Sequence, residues 1–223
     1  MLKPGRGGLF VDCTVGGGGH AKVLLEAGAS RVLGLDRDGE VLSLAADALA
    51  PWSDQVELVH SDFRQLEQVL DDRGIATIDG ALADLGMSSI QLETEGRGFS
   101  FRRDEPLDMR MDRTAGLTAA DLLRDTSAPT LADLIFRYGE ERHARRVARA
   151  IAEARARTPV TTTGQLASIV RRAIPGRGWQ RIDPATRTFQ ALRIWVNREL
   201  DGLDEFVRAV GRRLRTGARF AVI

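Results

Sequence analysis

The chain has 223 residues, 43% hydrophobic and 28% charged, enough for one sizeable domain, or one domain carrying an insertion, with a real core, and unlike a disordered polymer. Its single cysteine, Cys13, excludes an intrachain disulfide, no apolar run approaches the roughly eighteen residues of a membrane span, and the first residues carry neither an export nor an organelle-import pattern, so a reducing, cytoplasmic setting is expected. The net charge of +1 conceals an asymmetry: residues 96–195 hold 19 Arg, no Lys and 11 acidic residues, a balance of +8, while the remainder stands at −7. Arginine binds phosphate with a planar fork, so the basic segment points to a polyanionic partner, against the plainer reading of solvated helix faces.

In chain order, residues 8–13 read as a buried strand, followed by four consecutive glycines, Gly16 to Gly19, and a short helix over residues 20–27. A second strand over 31–36 ends at Asp36, and a helix follows over 38–49. Gly16, Gly18 and Ala21 satisfy the glycine fingerprint of dinucleotide folds, and Asp36 lies twenty residues beyond Gly16, where a carboxylate reaches a ribose hydroxyl. A third strand (55–60), a third helix (63–72) and a fourth strand (77–84) complete the rhythm. Alternating units of this kind predict a parallel, doubly wound α/β sheet. Asp12, Asp36, Asp62 and Asp84 then border one crevice at the strand tips.

From residue 96 the rhythm stops and helical patterns take over, at 118–124, 130–138, 140–157, 162–173, 185–200 and 203–214, before a last strand at 219–223. The expected division is a core of residues 1–95 and 196–223, with a helical, Arg-rich insertion over 96–195 between the fourth and fifth strands. Thr118 with Asp121 has capping-box spacing.

A glycine loop serves nicotinamide dinucleotides and S-adenosylmethionine alike. Asp62 and Phe63 after the third strand suit the edge and face of an adenine, with a core role for Phe63 as the alternative. Asp84-Leu-Gly-Met-Ser-Ser-Ile-Gln91 stands where group transfer would occur. An NAD-dependent oxidoreductase needs a proton donor such as His or a Lys–Tyr pair near this point, and the sequence offers neither. His20, His60 and His143 are too scattered to form a metal set.

Several longer strings are more specific. Asp12-x-Thr-x-Gly-Gly-Gly-Gly-His20, Gly34-x-Asp-Arg-Asp38, Asp84-Leu-Gly-x-Ser-Ser-x-Gln-Leu92, Arg97-Gly-Phe-Ser-Phe101, Pro106-Leu-Asp-Met-Arg-Met-Asp112, Tyr138-Gly-Glu-Glu-Arg142 and Pro184-Ala-Thr-Arg-Thr-Phe-Gln-Ala-Leu-Arg-Ile194 resemble the bacterial small-subunit ribosomal RNA cytosine-N4 methyltransferases. The resemblance implies a class I, Rossmann-like methyltransferase fold, S-adenosyl-L-methionine as cofactor and small-subunit ribosomal RNA as substrate. It implies cofactor contacts at Gly18, Gly19, His20, Asp36, Phe63, Asp84 and Gln91. Asp84, or a nearby backbone carbonyl, is the candidate acceptor for the N–H of the target amine. The target cytosine must be unstacked to enter such a pocket.

Arg97, Arg102 and Arg103 lie among aromatic residues, and with Arg110, Arg187 and Arg193 they are the candidate RNA contacts. The alternatives are an Arg110 salt bridge to Asp108 or Asp112, and interhelical hydrogen bonds for Arg187 and Arg193. The family begins earlier and continues past the fifth strand into a Ser-Phe-His-Ser-Leu-Glu-Asp-Arg-like motif, so the sequence is expected to be shortened at both ends, with its last strands missing and its turnover weak. A non-catalytic RNA-binding fragment and an NAD-dependent oxidoreductase are the competing functions.

Overall fold

The computed structural model describes residues 2–174 and 182–223. Five strands, β1 (Leu9–Asp12), β2 (Arg31–Asp36), β3 (Val56–His60), β4 (Ile78–Ala83) and β5 (Leu214–Val222), form one parallel sheet in the order β3-β2-β1-β4-β5. The helices are α1 (Gly19–Glu26), α2 (Gly39–Leu49), α3 (Leu66–Asp71), α4 (Ser89–Glu93), α5 (Ala119–Asp125), α6 (Ala128–Gly139), α7 (Ala144–Arg155), α8 (Thr163–Ala173), α9 (Ala185–Asn197) and α10 (Leu203–Arg213). Among the described residues, no helix is long and apolar enough to cross a membrane.

Strand residues alternate between two cores, as the two-residue period of a strand requires. Val11, Leu33, Leu35, Ala81 and Ala83 pack with Leu66 and Leu70 of α3 and Phe206 and Val210 of α10. Phe10 and Val32 turn the other way, onto Ala21, Leu24 and Leu25 of α1 and Leu42, Ala45 and Leu49 of α2. The sheet is thus covered on both faces, which is the doubly wound arrangement expected from the sequence. From β1 the chain steps outward to β2 and β3, then returns to the opposite side of β1 for β4. That reversal opens a crevice at the carboxyl ends of β1 and β4.

The chain divides into two compact units, one of Met1–Ile90 with Asp201–Ile223 and one of Gln91–Leu200. The second is helical. Thr118 and Asp121 close a capping box at the start of α5, and Thr162 and Gln165 close another at α8. Helices α6 and α9 approach so closely that a Cβ on Gly139 would lie 2.3 Å from the Arg187 carbonyl oxygen, which admits only glycine there.

Two of the boundaries that differ from the sequence-based expectation have a visible backbone cause. Residues 140–157 do not form one helix, because Glu140 takes a left-handed φ of 52° that ends α6, and the His143 amide donates to the Glu141 carboxylate before α7 begins. The fifth strand begins at Leu214 rather than at residue 219, pairing along β4 with a register shift between Ile78 and Gly80.

Candidate active site at the strand tips

The tip of β1 carries Asp12, which is fully buried. Its Oδ1 accepts the Thr14 amide at 3.3 Å, whereas Oδ2 is buried with no hydrogen-bond partner among the described residues. Burial pushes the Asp12 carboxyl up to about 7, against the pull of the Thr14 amide and of His20; Asp36 and Asp84 add to the rise. An unmatched buried carboxyl oxygen is costly. A cationic or hydroxyl-bearing ligand would relieve it.

After Asp12 the chain turns through the glycines. Gly16 and Gly18 have φ of 52° and 86°, left-handed values that disfavour a side chain, and Gly18 caps α1. A Cβ on Gly18 would press 3.0 Å from Leu49 Cδ1, whereas at Gly19 it would meet nothing within 4 Å. The backbone at Gly19 is therefore open to a ligand, at the amide-rich start of a helix that has no acidic residue in its first turn. The turn is tied down by Asp36, whose Oδ2 accepts the Gly16 amide at 2.9 Å and whose Oδ1 accepts the Asp38 amide at 3.0 Å. Burial raises the Asp36 carboxyl, with those two amides opposing it. Each oxygen keeps a further lone pair for a hydroxyl.

On the other side of the reversal, the Asp84 amide donates to Thr14 Oγ1 at 2.7 Å, which locks the tip of β4 to the turn after β1. The Asp84 carboxylate is half exposed and its Oδ2 lies 3.5 Å from His20 Nε2. The structure therefore gathers Gly16 to Gly19, His20, Asp36 and Asp84 of the expected set. Asp12 and Thr14 complete the geometry; their Asp-x-Thr spacing at a strand end was the available signal, and their roles depend on burial that spacing does not reveal.

Two other expectations are only partly matched. Phe63 is half-buried, with its ring 4.7 Å from Phe206 and packed against the core cluster. Asp62 is committed to Arg64, accepting Nε and Nη2 at 2.7 Å each, with Arg37 at 3.7 Å. Burial would raise its carboxyl, but the Arg64 hydrogen bonds and the charges of both arginines hold it below the usual range. Gln91 is buried on α4, the first residue of the second unit.

The family model described as the MraW methylase family matches residues 1–223. The chain belongs to the MraW methylase family. It is 53% identical to the ribosomal RNA small subunit methyltransferase H of Syntrophotalea carbinolica and 49% identical to that of Geotalea uraniireducens, in each case over all of this chain and 72% of the relative. The protein of the same name from a Cyanothece species is 52% identical with the same coverage. Among solved structures, an S-adenosylmethionine dependent methyltransferase from Mesorhizobium loti overlaps 38% of each chain at 24% identity and a TM-score of 0.30.

The arginines proposed from the sequence of this MraW-family chain fall in different places. Arg97 is 1% exposed, its Nη2 donating to the Arg110 and Met111 carbonyls and its guanidinium stacking 5.7 Å from Phe99. This corrects its reading as an RNA contact: it is an internal strut, and Phe99 is buried with it. Arg110 pairs with Asp108 at 2.7 and 2.9 Å, which selects the salt-bridge alternative and holds Asp108 below the ordinary carboxylate range despite its burial. Arg193 forms a two-pronged bond with Glu199 at 2.8 and 2.9 Å. Arg103 pairs with Glu95, Arg187 donates to the Glu140 carbonyl, and Arg102 is exposed.

Proposed function

We propose that this chain transfers a methyl group from S-adenosylmethionine to the exocyclic amine of a cytosine in small-subunit ribosomal RNA, in the cytoplasm where that RNA resides. The observation that carries the reading is the site at the β1–β4 reversal, where a glycine turn meets the carboxyl groups of Asp12, Asp36 and Asp84. Membership of the MraW methylase family, and relatives bearing the methyltransferase name, support the reaction and the RNA substrate, and set the NAD-dependent oxidoreductase alternative aside.

The residues fit the cofactor by their chemistry. Asp36 retains acceptor capacity for a ribose diol, the open backbone at Gly19 offers its amide to a carboxylate, and the unmatched Asp12 Oδ2 suits a cationic centre. Bound there, S-adenosylmethionine supplies a methyl group made electrophilic by its positive sulfur. The chain's own work is then to orient and to accept a proton. A cytosine amine is a weak nucleophile because its lone pair is delocalised into the ring. The half-exposed Asp84 carboxylate accepts one of its N–H bonds as the nitrogen turns pyramidal, and His20, at 3.5 Å, holds that carboxylate in place.

The test is a thermal shift on the full chain with S-adenosylhomocysteine against NAD, paired with a methyl-transfer assay on small-subunit RNA. A ligand that binds only the folded state at about a hundred times its Kd stabilises by roughly 2.7 kcal/mol. A shift with S-adenosylhomocysteine and none with NAD is the expected result. The reverse order would refute the proposal.

A further inference from the structure

A cluster of exposed arginines lies at α7 and α8 of the helical unit, within the Arg-rich segment whose charge the sequence divides between solvation and a polyanionic partner. Helices α7 and α8 pack through Val147, Ile151, Leu166 and Val170, all buried, and between them leave an open groove of about 510 Å³. Arg146, Arg149, Arg157 and Arg172 line it over a floor that includes Ile169, and among the described residues Glu153 is the single carboxylate in the lining.

Several arginines elsewhere are paired with the chain's own acids, as with Arg110 on Asp108, Arg171 on Asp183, Arg193 on Glu199 and Arg212 on Glu67. The four groove guanidiniums have no ion-pair or side-chain hydrogen-bond partner among the described residues. All four residues are exposed. Arg146 and Arg149 lie three residues apart on one side of α7, and Arg157 follows two residues past the end of that helix. Like charges held together at this density are relieved by a polyanion of matching length rather than by a single small anion. Among the described residues no aromatic side chain lines the groove, and those that do line it offer phosphate contacts rather than a surface on which to stack a base. Guanidinium forks match phosphate oxygens in pairs.

We propose that the α7–α8 groove grips the phosphate backbone of the RNA substrate, independently of base sequence. The inference rests on the ribosomal RNA reading and adds to it the surface that holds the strand.

The experiment uses the full chain, a fluorescein-labelled oligomer of small-subunit ribosomal RNA, and a scrambled oligomer of equal length. Binding is followed by fluorescence anisotropy from about 50 to about 200 mM salt. The combined variant Arg146→Ala, Arg149→Ala, Arg157→Ala is expected to lose about thirtyfold in affinity at the lower salt for both oligomers. The slope of log affinity against log salt should flatten by about 2, near 0.7 for each lost phosphate contact. The matching triple Lys variant should retain more affinity than the Ala variant, because charge remains while the fork is lost. Calorimetric binding of S-adenosylhomocysteine should be unchanged in both variants, which also reports that they fold.

RNA affinity within twofold of the parent, with the same salt slope, would overturn the groove. Displacement of the RNA by poly-glutamate as readily as by unlabelled RNA would overturn it too, in favour of an acidic protein partner. If the parent chain binds S-adenosylhomocysteine but no RNA, the groove proposal fails while the methyltransferase reading stands. If it binds neither, the reading itself has failed.

Discussion

Asp12 has an ordinary carboxyl value of 3.8 that burial lifts to about 7 in the folded chain. The native state therefore holds this proton more tightly than the unfolded chain does. The stability so contributed is fully present below the unfolded value and is lost as pH rises through the folded one. Three units correspond to roughly 4 kcal/mol at about 1.36 kcal/mol per unit. Asp12→Asn removes the titration, so urea unfolding should show the variant gaining on the parent by up to about 4 kcal/mol between about pH 4 and pH 8. A difference that does not vary with pH would mean that Asp12 titrates as an ordinary acid. At this same scale the sequence is legible only in part. The positions of Asp36 and Asp84 follow from strand ends, but the isolation of Asp12 Oδ2 and the interior place of Arg97 depend on which atoms from distant segments surround them.

Helix boundaries were legible where a side chain makes them and obscure where the backbone does. Thr118 and Asp121 announce the start of α5 by type and spacing. The break between α6 and α7 leaves no such mark, since it depends on Glu140 entering a left-handed conformation that glutamate rarely adopts. The beginning of β5 was likewise hidden, because Leu214 to Gly217 reads Leu-Arg-Thr-Gly, while its pairing with β4 is supplied by the sheet. The capping boxes yield a direct prediction. Thr118→Ala and Thr162→Ala should each lower the unfolding free energy by about 1 kcal/mol, as measured by denaturant midpoint at constant slope. A loss below about 0.3 kcal/mol in either would show that the corresponding hydroxyl bond is matched by water.

For the molecule as a whole, the doubly wound sheet was legible because the alternation of strand and helix leaves few other topologies for its first ninety residues, and the charge asymmetry was legible by counting. Which arginines remain available was not, because that depends on the ion pairs each makes after folding. Separate sites of different charge should respond differently to salt. Between about 50 and 200 mM, affinity for S-adenosylhomocysteine, measured by calorimetry, should change less than about threefold, while RNA affinity should fall by about a hundredfold or more. Equal sensitivity would mean that the small ligand, too, is held mainly by long-range charge. The bonds from Asp36 to the Gly16 and Asp38 amides have a kinetic consequence. With the loop held by the chain's own carboxylate, an arriving guest surrenders mainly its own freedom of movement and the host surrenders little, so capture should be quick and affinity should be tuned through the rate of departure.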